Sequence, residues 1–313
     1  MLNSDELWRV HHGDCIEHMA DLPAAVFDFS VFSPPFPSLY AYTSSDRDIG
    51  NSEDMAGDAK LHLSFFYRQL ARVVKPGRII MVHVAQIPRM KRAGGRGLFD
   101  FRGMNIRLGE RAGLTFEYDW SVRKNPQSQA IRTKSRELQF SGLESDRARS
   151  RGSLPDYLLK FTAPGENAVP VRDWEIDLDA DGEKIGERQI HDTQVARNDW
   201  IGWAESCWSD IRETDTLNLN GTKGEGDTKH ICPLQLGVIS RLIRLYTNPG
   251  ELVFSPFAGI GSEGFEAVRL GRRFYGCELK DEYHRTAENN LRRAERELGV
   301  SRAGLFDAVG AEA

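Results

Sequence analysis

Short apolar runs alternate with helical patterns along much of the chain. Runs rich in β-branched and aromatic residues at Val26 to Phe32, Arg78 to Val84, Leu114 to Val122, Glu251 to Ser255 and Arg273 to Leu279 predict buried strands. Between them, His62 to Val74 and Leu234 to Tyr246 repeat apolar residues at helical spacing and stop at Lys75-Pro76-Gly77 and Asn248-Pro249-Gly250. A last helix is expected from Asp281, a candidate N-cap, with Tyr283, Ala287, Leu291, Ala294 and Leu298 on one face before Gly299; the tail, 301–313, is expected to be loose. Strand and helix in alternation predict an α/β fold, a mostly parallel sheet with helices on both faces. Residues 125–229 break that rhythm: they are polar, hold Pro126, Pro155, Pro164 and Pro170, and are expected to form an insertion between the two parts of the α/β domain, 1–124 and 230–300.

Composition narrows the class. With 313 residues and 40% hydrophobic content the chain can bury a sizeable core as one domain carrying an insertion. No apolar run has the ~18 to 20 residues of a membrane span, and MLNSDELWRV lacks the apolar segment of a signal peptide, so a cytoplasmic location is expected. Cys15, Cys207, Cys232 and Cys277 lie far apart with no C-x-x-C pair, which argues against a zinc site or a disulfide framework. The net charge of −5 hides an uneven distribution, because residues 85–160 hold 16 Lys and Arg against 8 Asp and Glu. A local basic stripe on an acidic body is the footprint of a phosphate-binding face; a solvated, arginine-rich loop is the alternative.

Two strand ends carry the candidate chemistry. The apolar run ending at Phe32 stops at Ser33-Pro34-Pro35-Phe36, which leaves a hydroxyl, a carbonyl no sheet can use and an aromatic ring where open α/β sheets bind ligands. A second strand runs into Ser255-Pro256-Phe257-Ala258-Gly259-Ile260-Gly261-Ser262-Glu263-Gly264. Its Gly259 to Gly264 part also fits G-x-G-x-x-G, with Glu278 at the tip of the next strand. Glycines admit a ligand close to the backbone and such a carboxylate can accept both ribose hydroxyls, so an adenosine cofactor and an NAD-like one both fit. The position near the C-terminus, with one strand and helix after it, is unlike the opening unit of an NAD-binding series.

These motifs resemble those of the amino-group DNA methyltransferases, which transfer methyl from S-adenosylmethionine to N4 of cytosine or N6 of adenine. The catalytic motif precedes the cofactor motif, the circularly permuted order of the family's β group, and the resemblance covers roughly residues 9–85 and 228–292. It implies a Rossmann-like methyltransferase sheet, an inserted target-recognition region over 125–229, and S-adenosylmethionine as cofactor. Ser255, Phe257, Gly259 and Gly261 would contact the methionine part and Glu278 the ribose, although the family usually has Asp where this chain has Ser255. In His11-His12-Gly13-Asp14-Cys15, Asp14 would accept from the adenine amine; a helix N-cap is its other reading. Lys229 to Gln235 resembles the segment covering the methionine end.

On the catalytic side, Ser33 Oγ and the Pro34 carbonyl would accept the two hydrogens of the target amine, and Phe36 would stack on a base flipped out of the duplex. The other reading of Phe36 is a ring plugging the core. Ser in place of Asp at the first position is commoner among the N4-cytosine enzymes, so cytosine is favoured over adenine. The implied partner is double-stranded DNA, with a second copy of the chain and a cognate restriction enzyme as further candidates. Arg123, Lys124, Arg132, Lys134 and Arg136 would set its backbone, with Gln127 and Gln129 among candidate base readers, and the Gly-rich basic stretch Arg89 to Arg107 is expected to be a loop. Asp177-Leu178-Asp179-Ala180-Asp181-Gly182 is expected to be a hairpin turn and not a calcium loop, since Arg188 stands where a ligand is needed. Trp200, Trp203 and Trp208 are expected to pack the insertion on the core. Competing readings are an RNA or small-amine methyltransferase, an NAD-type oxidoreductase and an inactive DNA-binding relative.

Overall fold

The computed structural model describes residues 1–37, 49–51, 57–89, 97–191, 195–218 and 233–310, the side chains of residue 51 and of 300–310 excepted. In chain order the strands are β1 (Trp8–His12), β2 (Phe29–Phe32), β3 (Ile79–Ala85), β4 (Ile87–Pro88), β5 (Leu98–Phe99), β6 (Thr115–Val122), β7 (Asp156–Thr162), β8 (Trp174–Leu178), β9 (Lys184–Gln189), β10 (Cys207–Trp208), β11 (Leu252–Ser255) and β12 (Arg273–Glu278). The helices are α1 (Cys15–Asp21), α2 (Asp58–Val73), α3 (Phe101–Arg111), α4 (Pro126–Thr133), α5 (Phe140–Ser145), α6 (Arg197–Trp203), α7 (Leu236–Tyr246), α8 (Ser262–Arg269) and α9 (Asp281–Gly310).

Eight strands form the main sheet in the order β1-β12-β11-β2-β3-β7-β6-β10. All neighbours pair in parallel except β7, which is antiparallel to both β3 and β6. Central strands are apolar on both faces, as a doubly covered sheet requires. Phe32, Ile80, Val82, Phe254 and Tyr275 face a core shared with α1, α2 and α3, whereas Phe29, Val31, Met81, Val253 and Phe274 face α7, α8 and α9. In α2 the buried Leu63, Phe66, Tyr67, Leu70 and Val73 form the stripe, and burying each such side chain contributes roughly 1.5 to 3 kcal/mol. Polar contacts lock β2 to β11: Ser30 Oγ donates to the Phe254 carbonyl at 3.0 Å, and Asp28 Oδ2 accepts the Leu252 amide at 2.9 Å.

The five strands and the helices over α2, α7 and α9 lie where the apolar pattern places them. Other elements differ from that pattern. Residues 125–229 are not wholly an insertion, because β7 and β10 from this range complete the main sheet. Within Arg89 to Arg107, where a loop is expected, the Asp100 carboxylate accepts the Gly103 amide at 2.9 Å and starts α3; residues 90–96 lie outside the described residues. Helix α9 passes through Gly299 to Gly310 in place of a loose tail, since an interior glycine weakens a helix by about 1 kcal/mol without ending it. The stretch Asp177 to Gly182 is the expected hairpin turn joining β8 and β9: Asp179 Oδ1 accepts the Asp181 and Glu183 amides, with Gly182 at φ +83°. Trp208 is buried and donates to the Trp203 carbonyl at 3.0 Å, but Trp200 is 57% exposed and packs nothing onto the core. No helix among the described residues is long and apolar enough to cross a membrane.

Candidate active site

Because β1, β2, β3, β6, β11 and β12 run in one direction, their C-terminal ends share one edge of the sheet, and the antiparallel β7 brings its N-terminal Asp156 to the same edge. The chain leaves β11 for α8 on one face, and after the neighbouring β2 it next packs as α2 on the other. That divergence makes a crevice at a topological switch point, where such sheets bind ligands.

On one side of the crevice is the glycine turn after β11. Gly259 and Gly261 have φ of +53° and +85°, a conformation that strains any residue with a Cβ, and a Cβ on Gly259 would point into open space. Gly264 answers a different need, since a Cβ there would stand 2.5 Å from the Phe274 ring, so α8 can lie close on β12. Glu278 Oε2 accepts the Gly259 amide and Oε1 the Lys280 amide, both at 2.8 Å. Asp14 Oδ1 accepts the Ile16 and Glu17 amides at 2.7 and 3.0 Å, so Asp14 caps α1 at the tip of β1, the next strand along. Phe257 packs between Phe32 and Phe66, at ring distances of 5.9 and 4.9 Å. The buried hydroxyls of Ser255 and Ser262 have no partner among the described residues, and in Glu263 burial first, and Glu278 after it, raises the carboxyl to about 8. Open space above the turn and orphaned polar atoms below it suit a polar ligand seated here. Of Lys229 to Gln235, residues 229–232 lie outside the described residues.

Across the crevice, β2 ends in the half-buried Ser33, the buried Pro34 and the half-buried Phe36, whose ring lies 5.3 Å from Phe101 and packs partly into the core. Two residues unmarked by any sequence motif join this turn. His83 Nδ1 of β3 is 3.2 Å from Ser33 Oγ, and His83 Nε2 is 2.9 Å from Asp156 Oδ2 at an angle too bent for a straight hydrogen bond. Lys124 Nζ reaches the same Asp156 oxygen at 2.5 Å. Burial pushes the Asp156 carboxyl up, but His83 and Lys124 more than offset it and hold it below the usual carboxylate value. The signal for His83 was a lone ring among Ile79-Ile80-Met81-Val82-His83-Val84-Ala85 at a strand end.

The basic stripe divides in two. Lys124, expected on DNA, is 5% exposed and committed to Asp156, so it does not face solvent. Gln129 is not a base reader either: it is buried, and its amide exchanges hydrogen bonds with the Leu154 backbone at 3.0 and 2.9 Å. Arg102 pairs with Asp119 through two bonds of 2.9 and 2.8 Å. Arg123, Arg132, Lys134 and Arg136 are exposed, on and around α4 beyond the end of β6, and Gln127 is exposed with them.

Comparison with known proteins agrees with this geometry. A sequence profile described as DNA methylase, of the N6 and N4 type, matches residues 27–289. The Escherichia coli (strain K12) protein YubD is 35% identical over 121 residues, 36% of this chain and 53% of that one. The type II methyltransferase M1.MboII of Moraxella bovis is 43% identical over 54 residues, 17% of this chain and 21% of its own. The chain thus spans about half the length of the first relative and a fifth of the second. Among solved structures, the DNA modification methylase TTHA0409 from Thermus thermophilus, complexed with S-adenosyl-L-methionine, superposes with a TM-score of 0.64 at 20% identity over 91% of this chain and 93% of that one. PvuII DNA methyltransferase, cytosine-N4-specific, gives 0.61 at 17% identity over 94% and 93%. At such identity the likeness is one of fold, whereas the profile match spans most of the sequence: the chain belongs to the N6 and N4 DNA methylase family.

Proposed function

We propose that this chain transfers methyl from S-adenosylmethionine, the cofactor of its family, to the exocyclic amine of a base flipped out of double-stranded DNA, N4 of cytosine in preference to N6 of adenine. The observation that carries the reading is the adjacency of the Ser33 and Ser255 strand ends across the switch point, with the glycine turn on one side and the Ser33-Pro34 turn on the other. In this assignment Gly259, Gly261, Ser255 and Phe257 seat the methionine part and Glu278 accepts the ribose hydroxyls. Asp14 receives the adenine amine on the carboxylate edge its cap does not use. The cofactor supplies an electrophilic methyl group on a sulfonium.

The target amine is a poor nucleophile because its lone pair is delocalised into the base ring. Ser33 Oγ and the Pro34 carbonyl bind its hydrogens, draw it toward tetrahedral geometry and hold it for in-line attack, with no covalent intermediate on the enzyme. Phe36 replaces part of the stacking the base loses. Ser33 in place of an acidic residue supports cytosine, while the curated relatives also include the DNA adenine methyltransferase YhdJ of Escherichia coli (strain K12), 41% identical over 46 residues. Incubation with tritiated cofactor and unmethylated genomic DNA, followed by digestion and separation of the methylated nucleosides, tests the reading. Label in N4-methylcytosine is expected; label in N6-methyladenine overturns the base assignment, and no transfer to DNA overturns the function.

A further inference from the structure

Ser33 Oγ, His83 and Asp156 stand in one line across three adjacent strands, β2, β3 and β7. The chemistry of the line assigns its protons. A carboxylate can only accept, so in the neutral form of His83 the hydrogen belongs on Nε2, the ring nitrogen 2.9 Å from Asp156, although that contact is too bent for a straight hydrogen bond. Nδ1 is then a bare lone pair, and at 3.2 Å it can only receive the Ser33 hydroxyl hydrogen. With its one hydrogen turned to His83, Ser33 Oγ presents lone pairs alone to anything on its other side. A hydroxyl free to rotate would instead donate for part of the time, toward an amine that must itself donate.

We propose that His83 is a positioning residue for methyl transfer: it orients the Ser33 hydroxyl as an acceptor for the target amine and, steadied by Asp156, takes up the proton that amine loses. The inference rests on the proposed function, since it requires Ser33 at the reacting nitrogen. As the nitrogen–methyl bond forms, the methyl–sulfur bond breaks and its electron pair leaves on sulfur. The nitrogen, now bearing four bonds, releases one proton to Ser33 Oγ while the hydroxyl hydrogen passes to His83 Nδ1. Positive charge thus moves from the sulfonium to an imidazolium beside a carboxylate, and water later removes the proton.

Lys124 joins this line, since its Nζ binds the same Asp156 oxygen and shares that carboxylate with His83. The groups facing His83 are therefore Ser33 from the end of β2, Asp156 from β7 and Lys124 from beyond β6. At the start of α3, Asp100 and Arg102 are engaged by Gln86 and Asp119.

The test is the single-turnover rate of tritium transfer to unmethylated genomic DNA across pH 5 to 9. For the wild type a rate that falls on the acid side with one proton is expected, because only neutral His83 can accept. In His83→Asn the side-chain oxygen can still take the Ser33 hydrogen but cannot titrate, so the rate should drop by about 100-fold and its acid limb should vanish, with cofactor affinity retained. An acid limb unchanged in His83→Asn overturns the inference. Should that variant lose cofactor binding through misfolding, the imidazole nitrogen shifts of wild-type His83 decide: hydrogen on Nε2 at neutral pH is expected, and hydrogen on Nδ1 overturns it. Ser33→Ala separates the two claims. No DNA methylation by the wild type removes the proposed function and this inference with it, whereas full activity in Ser33→Ala, or an impaired Ser33→Ala beside an unchanged His83→Asn profile, removes this inference and leaves methyl transfer standing.

Discussion

Glu278 Oε2 accepts the Gly259 amide at 2.8 Å, tying the tip of β12 to the glycine turn after β11. One carboxylate thereby fixes the backbone of the turn, and in the proposed function it also accepts the ribose hydroxyls. Glu278→Ala should weaken S-adenosylmethionine binding by about 10- to 100-fold, the worth of a charge-assisted hydrogen bond plus a loosened turn. Titration calorimetry measures it, with NAD as the control ligand. Unchanged affinity would place the ribose elsewhere, and binding of NAD in preference would favour an oxidoreductase.

The exposed part of the stripe makes a separate claim. Replacing Arg132, Lys134 and Arg136 together with alanine should weaken duplex binding for every sequence and lower the slope of log affinity against log salt by up to about 3. Cofactor affinity should hold. Fluorescence anisotropy on duplex DNA between 50 and 200 mM salt, roughly the span over which such contacts are lost, reads both the slope and its change. An unaltered slope would make these side chains ordinary solvated surface.

The strand ends at Ser33 and Ser255 were legible because prolines interrupt strongly apolar runs, and a strand that stops so abruptly marks itself in one sequence. Three strands of the main sheet were not, and one of them, Cys207–Trp208, is only two residues long. Trp8–His12 is an edge strand with a single fully buried residue, Val10, so its pattern is weak. Asp156–Thr162 carries the buried Leu158, Leu159 and Phe161, but it is a short run between Pro155 and Pro164 inside a longer polar range, and its pairing with both β3 and β6 places it in the main sheet. The line from Ser33 to Asp156 was hidden for the same reason: its members are far apart in sequence, and it exists because β7 inserts beside β3. Lys124 misled for a local cause, since a lysine next to an arginine reads as surface until its carboxylate partner is seen.

Glu263 predicts a pH effect on stability. Burial raises its carboxyl from 4.5 to about 8 in the folded chain, so between those values the unfolded state is ionised while the folded state stays protonated. The folded state then binds more protons, and stability falls as pH rises through that window. Glu263→Gln removes the dependence: its melting temperature should exceed that of the wild type at pH 8 by more than at pH 5. Differential scanning calorimetry at the two values checks it, and an equal shift at both would mean that Glu263 is charged in the fold.

In the proposed function the Ser33 to Phe36 turn divides its labour between two side chains, and substitutions should separate them. Phe36→Ala removes a stacking face worth about 1 to 3 kcal/mol per base, so a mismatched or unpaired target, already partly unstacked, should recover part of the lost activity. Ser33→Ala removes an acceptor from the reacting amine without touching that face. Turnover should fall about 100-fold with cofactor and DNA affinity little changed, and a mismatched target should bring no recovery. Because Phe36 already leans on Phe101, the alanine variant also loses core packing, and its melting temperature must be read beside its rate. Single-turnover transfer to paired and mismatched duplexes distinguishes the two residues. Equal rescue of both variants would show that they act on base extrusion together, and wild-type turnover in both would take this turn out of the reaction.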